Sequence, residues 1–158
     1  MDDLIVNDDP GNRCFGCSPH NPAGLRLRFA RSGPGAVEAR YTAPEGLCGA
    51  PGVIHGGIQA ALLDEVMGMA AHVDERGAGD ERLHIVTVDF RLRYRRPAPT
   101  GRPLLVRGRL VRREGRDYFL EGEIVGEDGR PLTAAEARWR RTEPRSESDP
   151  RRRPGSRS

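Results

Sequence analysis

No lysine occurs in this 158-residue sequence; all 26 basic residues are arginine, which excludes Schiff-base chemistry and a lysine general base. Cysteine is scarce. Cys14, Cys17 and Cys48 are too few, and odd in number, for a disulfide framework, so free thiols in a reducing, cytoplasmic setting are the expectation. No apolar run reaches the roughly 20 residues a membrane span needs. The start, "MDDLIVNDDPGNR", is acidic and has neither the basic end nor the apolar stretch of a signal peptide. No membrane partner is expected. A net charge of +3 with 23 acidic residues argues against nucleic acid as well.

What is present fits one domain with a real core. Residues 143–158, "EPRSESDPRRRPGSRS", carry no aliphatic side chain and cannot repay the entropy of ordering, so they read as a disordered Arg-rich tail. Residues 1–12 read as a mobile N-terminal tail, leaving 13–142 as the domain. Within it the apolar period is two almost throughout, with no internal repeat. "GLRLRFA" alternates Leu25, Leu27 and Phe29 with arginines, and "AVEARYT" alternates Val37, Ala39 and Tyr41 with polar residues; both are expected strands. In "IVTVDFRLRY" the alternation puts Val86, Val88, Phe90, Leu92 and Tyr94 on the core face and Thr87, Asp89, Arg91 and Arg93 on the other. "PLLVRGRLVRR", "DYFLEGEIV" and "PLTAAEARWR" follow, separated by the turn signals "EGR" and "EDGR", as in a hairpin meander. The exception is Ile58 to Val73, apolar or Gly at every position but Gln59, Asp64, Glu65 and His72. Such a segment is a buried helix. The expected fold class is α+β, about six antiparallel strands in a sheet curled around one long helix.

The helix start and its two carboxylates are the chemically suggestive features. Gly52, Gly56 and Gly57 surround His55 where the chain turns into the helix. The first N–H groups of a helix lack internal partners and lie at its positive end, so a start without side chains at 56 and 57 can hold a developing oxyanion. A tight turn with an ordinary cap, and a hydrogen-bonded structural His, would give the same residues. On a helical wheel Asp64, Glu65 and His72 fall within about 100° of one another, with Gln59 almost opposite. A solvated sector would account for Glu65 and His72. Asp64 lies among Ala60, Leu63, Met67 and Gly68, where burying an unpaired carboxylate costs several kcal/mol.

"HGGIQAALLDE", followed by "VTVDFRLRYRRPAPTG" and preceded by "CFGCSPHNPAGLRLRF", resembles the hotdog-fold acyl-CoA thioesterases, in particular their PaaI-like branch. The likeness spans roughly residues 14–141. It implies a hotdog fold and hydrolysis of an acyl-CoA thioester to the free acid and CoA, with no cofactor and no metal. It also implies a role for each matched residue. Asp64 would be general base or nucleophile, Gly56 the oxyanion donor, Thr87 the group holding the nucleophilic water, and His55 the group orienting the thioester. Gly57 would contact substrate beside Gly56. One departure stands out: some members carry Asn six residues before the His, where this chain has Gly49.

Three further expectations come from the residues themselves. Arg91, Arg93 and Arg95 recur every second residue and are candidates for the CoA phosphates, or else a solvated strand face. Cys14 and Cys17 with His20 have part of a zinc-knuckle spacing, but only Cys48 and His55 could complete four ligands, and a packed N-terminal segment is the preferred reading. Gly56 and Asp64 lie about 12 Å apart along one helix, too far to serve one reacting carbon. If both are catalytic they come from two chains, which makes a homodimer or dimer of dimers the expected assembly. A non-catalytic module binding acyl-CoA or an aromatic ligand is the alternative function.

Overall fold

A computed structural model of the chain describes residues 4–75 and 84–143; most of the loop after the helix and nearly all of the C-terminal tail lie outside them. The elements in chain order are β1 (Leu4–Ile5), β2 (Phe29–Gly33), β3 (Ala36–Thr42), a 3-10 turn (Glu45–Leu47), β4 (Cys48–Ala50), β5 (Val53–Ile54), α1 (Gly56–Glu75), β6 (Ile85–Tyr94), β7 (Pro103–Glu114), β8 (Asp117–Val125) and β9 (Pro131–Arg141). β4 and β5 form a small ribbon, and the other strands make one sheet in the order β1-β2-β3-β7-β8-β9-β6. Every neighbouring pair is antiparallel. The six expected strands are therefore present, joined by the two-residue β1.

The helix forms where the apolar run lies and buries Leu62, Leu63, Val66, Met67, Ala70, Ala71 and Val73 completely or nearly so. Against them stand Phe29, Val37, Ala39, Val106, Tyr118, Leu120 and Ile124 from the inner face of the sheet. Each large side chain buried here contributes about 1.5–3 kcal/mol of transfer free energy. Helix and sheet approach unusually closely, because a Cβ at Gly108 would lie 2.8 Å from the Val66 carbonyl oxygen and one at Gly122 would lie 3.1 Å from Met67. The β7–β8 hairpin closes in two residues, Gly115 and Arg116, with Gly115 at φ 58°, where glycine is favoured.

Three expectations are corrected. Leu25, Leu27 and Phe29 are all buried, yet β2 begins only at Phe29. Leu25 and Leu27 instead donate their N–H groups to the carbonyls of Phe15 and Gly16, at 2.7 and 2.9 Å. The two-residue period was genuine, but its partner is an N-terminal loop. Residues 4–12, assigned to a tail from composition, include β1, whose Leu4 and Ile5 pair with Ala30 and Phe29.

The third correction is in β6, an edge strand. Thr87 pairs with Trp139 and Asp89 with Arg138, leaving Val88 as an unpaired extra residue. This bulge shifts the alternation by one. Ile85 and Thr87 face the helix on one side of it, Phe90 and Leu92 on the other. Val86 and Val88, expected in the core, are 46% and 42% exposed.

Candidate functional site

Asp64 and Thr87 come together because of that bulge. Thr87 Oγ1 donates to Asp64 Oδ1 at 2.9 Å, joining the middle of α1 to the edge of the sheet. Burial holds the Asp64 carboxyl above its ordinary range, against a smaller downward pull from Thr87. A half-buried carboxylate with raised basicity and one oxygen fixed by a hydroxyl can take a proton from water through its second oxygen. The Thr87 oxygen keeps lone pairs with which to accept a hydrogen bond from that water.

The helix start separates the roles of His55, Gly56 and Gly57. His55 Nδ1 accepts the Gly57 N–H at 2.9 Å, so the neutral ring carries its proton on the exposed Nε2. Ile58 and Gln59 donate to the His55 carbonyl. Among the described residues none accepts the N–H of Gly56. Gly57 is thus occupied as part of the cap, and Gly56 offers the unsatisfied donor at the positive end of the helix.

Sequence reasoning assigned Tyr94 to the core. Its ring is 56% exposed, and its hydroxyl donates to the Gly56 carbonyl at 2.8 Å, pinning the first turn. A Cβ at Gly56 would meet that hydroxyl at 3.1 Å, and one at Gly49 would meet His55 Cα at 3.2 Å. Gly49 therefore packs against His55, a position with little room for the longer residue found there in some relatives.

Gln59, on the far side of the helix, is a structural polar residue: Nε2 donates to the Ile54 carbonyl at 2.9 Å, and Oε1 accepts from Thr133. Arg91, Arg93 and Arg95 line a groove of ≈ 640 Å³ on the outer face of the sheet with Arg107, Arg109 and three glutamates. Within one chain the sheet separates them from Asp64. Arg107 and Arg109 are paired to Glu123 and Glu121 across β7 and β8.

Glu65 is not in a solvated sector. It is half-buried against the Cys14–Cys17 loop, with Cys14 Sγ 3.4 and 3.5 Å from its two oxygens. Burial raises its carboxyl to about 7. The Cys14 thiol is lowered to about 5, first by its hydrogen bond with Cys17, and the Cys17 thiol is raised by the same contact and by burial. Cys48 is in the β4–β5 ribbon, and neither it nor His55 belongs to this cluster. Glu65, 51 residues from Cys14, gave no local signal of its part in it.

One long helix cradled by a curled antiparallel sheet, with a carboxylate at mid-helix and a bare helix start, defines a hotdog protein. Residues 51–133, more than half of the chain, match the Thioesterase superfamily, and the chain belongs to that family. It is 29% identical over 87 residues to human acyl-coenzyme A thioesterase 13, covering 55% of this chain and 59% of that protein. The chain thus spans less than two thirds of that relative's length. A thioesterase superfamily protein of known crystal structure is 28% identical with a TM-score of 0.71, covering 80% of this chain and 62% of that one. A structure described as a putative thioesterase, phenylacetic acid degradation-related protein, from Ralstonia eutropha is 26% identical with a TM-score of 0.63, covering 73% and 85%. These likenesses agree with the PaaI-like resemblance carried by the sequence motifs.

Proposed function

We propose that this chain hydrolyses an acyl-CoA thioester to the free acid and CoA, as a cytoplasmic enzyme with no cofactor in the reaction. The observation that carries the reading is the Thr87–Asp64 hydrogen bond, which supports Asp64 as an oriented, half-buried base with Thr87 holding the water. Asp64 takes a proton from that water as its oxygen bonds to the thioester carbon. The carbonyl oxygen becomes an oxyanion held by the N–H of Gly56, and His55 orients the thioester. Collapse breaks the carbon–sulfur bond, and the proton passes from Asp64 to the CoA sulfur. The cytoplasmic placement rests on three cysteines, none in a disulfide.

The base and the oxyanion donor come from two copies, since about 12 Å of helix separates them in one. β6 supplies the means of pairing: an edge strand of ten residues with Val86 and Val88 exposed. Two such edges related by a two-fold axis would continue the sheet and set the start of each helix beside the middle of the other. Arg91 and Arg93 receive the CoA phosphates, which the pantetheine arm carries away from the reacting carbon.

A panel of short, long and aromatic acyl-CoAs, followed by release of free thiol, tests the reading. Asp64→Asn should keep the fold and lower kcat by about 10²-fold or more, whereas Glu65→Gln should do far less. An Asp64→Asn protein that hydrolyses as fast as the wild type would make the chain a binding module. Greater loss from Glu65→Gln would move the base to the other carboxylate.

A further inference from the structure

We propose that Cys14, Cys17 and Glu65 bind a divalent transition metal of the zinc class through three protein ligands, with the fourth position open to water. The inference does not rest on the thioesterase reading, and it concerns a sector of the helix about 100° round from Asp64. The donor atoms of the three residues all lie within 4.8 Å of one another. A tetrahedral zinc with one sulfur and one oxygen ligand at ordinary bond lengths sets those atoms about 3.6 Å apart. The observed separations from Cys14 Sγ to the Glu65 oxygens are 3.4 and 3.5 Å. Binding would need little movement.

The loop is built as thiolate loops around metals are built. Cys14 and Cys17 have the two-residue spacing of a metal knuckle. The Gly16 N–H donates to Cys14 Sγ at 3.3 Å, and the Asn7 amide donates to Cys17 Sγ at 3.7 Å. Asn12 Nδ2 lies 4.0 Å from the same sulfur, in an orientation fixed because its Oδ1 accepts the Cys14 N–H at 2.9 Å while Nδ2 also donates to the Asn7 carbonyl at 2.9 Å. These N–H groups turned toward sulfur stabilise negative charge there and hold the ligands in place.

The support continues outward. Ser18 Oγ donates to the Asn12 carbonyl at 2.7 Å, and the N–H groups of Leu25 and Leu27 tie the Phe15 and Gly16 carbonyls to the segment entering β2. A Cβ at Gly16 would run into the Glu65 carboxyl group, so a side chain there would push that carboxyl away from the sulfurs. The ligands are thus held by the fold before any ion arrives. Two sulfurs and a carboxylate meet here with no His in the cluster among the described residues, a set of donors that a dication would bridge. Thiolates select the zinc class over magnesium or calcium. Cys14 and Glu65 are only half-buried, so an ion has a way in.

The test uses the full chain, stripped of metal by a chelator under reducing conditions and titrated with Co2+. Binding at one ion per chain, with the near-ultraviolet absorption of thiolate-to-cobalt charge transfer and displacement by Zn2+, is the expected result. Zinc affinity measured against a chromophoric chelator should fall at least about tenfold in Glu65→Gln and further in Cys17→Ser, while Cys48→Ser binds as the wild type. Cys14→Ser, at a half-buried position, serves if Cys17→Ser does not fold. Reduced, folded protein that shows no charge-transfer band, or whose affinity is unmoved by Glu65→Gln, overturns the proposal. So does a band lost in Cys48→Ser.

Discussion

Asp64 and Glu65 are adjacent in sequence and about 100° apart around one helix, and they face unlike surroundings. Asp64 turns to the edge strand, where its recorded partner is a hydroxyl and where the other half of the proposed chemistry, the bare N–H of Gly56, is out of reach in the same chain. Glu65 turns to a loop from the same chain that brings two sulfurs against it. On the proposed reading one carboxylate sits in a half-site and the other in a cluster drawn from one chain. Burial raises both, so a raised carboxyl alone does not say which is the base. Their partners favour Asp64 in the proposed reaction: the Thr87 hydroxyl keeps lone pairs for a water, whereas Glu65 stands against two thiols.

The largest effect should come from testing the half-site as a half-site. Asp64→Asn and Gly56→Pro, each inactive alone, are co-refolded; Pro deletes the N–H at a helix start, where it is otherwise tolerated. Half the dimers are then mixed, and each mixed dimer has one site with both native groups, so activity should return to about a quarter of wild type. Tyr94 must yield slightly to the proline ring, so both variants are first checked for wild-type melting. The Glu65 side should behave in the opposite way: mixing Cys17→Ser with Glu65→Gln should restore no metal binding, because each chain holds its own ligands. No recovered activity from exchanging, folded partners would end the shared-site idea. Recovered metal binding would break the contrast from the other side.

How much of this was legible beforehand depends on how local each signal was. The helix could be read because its apolar run admits no other placement, β3 because its alternation is unbroken over the strand, and β7–β9 because their alternation holds over most of each strand, with register shifts only at Leu110/Arg112 and Ile124/Val125. β6 misled because one unpaired residue, Val88, reverses the faces without marking the sequence. Alternation alone sent Thr87 away from the core, and only the family resemblance placed it with Asp64. The segment at Leu25 and Leu27 misled because burying every second residue does not require a strand as neighbour. The Cys14–Cys17–Glu65 cluster was half visible: the spacing of the thiols could be seen, but a third ligand 51 residues from Cys14 is found only by folding the chain. Cys48 and His55, the completions the sequence offered, lie elsewhere.

A smaller effect is expected from the outer face, where neither carboxylate points. Replacing Arg91 and Arg93 with Ala should raise KM for acyl-CoA roughly tenfold while leaving kcat nearly unchanged, the reverse of the pattern for Asp64→Asn. With a truncated pantetheine thioester, which lacks the phosphates, the same double variant should lose little. Equal loss on both substrates would remove these arginines from the phosphate site and return them to a solvated strand face.

The smallest effect is in stability, and it isolates Glu65. Its carboxyl rises from 4.5 to about 7 in the folded chain. Below about pH 4.5 the folded and unfolded chains both hold the proton, between there and about pH 7 mainly the folded one does, and above that neither. A group whose folded state binds the extra proton contributes stability that is lost as pH rises through this window. Cys14 works against it, because a thiol lowered to about 5 leaves the folded chain with fewer protons and adds stability as pH rises. The comparison therefore belongs in metal-free Cys14→Ser protein, with and without Glu65→Gln, unfolded by urea from pH 4.5 to 7.5. The protein retaining Glu65 should lose on the order of 1 kcal/mol more across that range, less than the full shift would give because the site is only partly shielded from water. The raised Asp64 is common to both proteins and cancels. Parallel stability curves would mean that Glu65 is not buried against the loop as the structure has it, and the contrast between the two carboxylates would lose its electrostatic half.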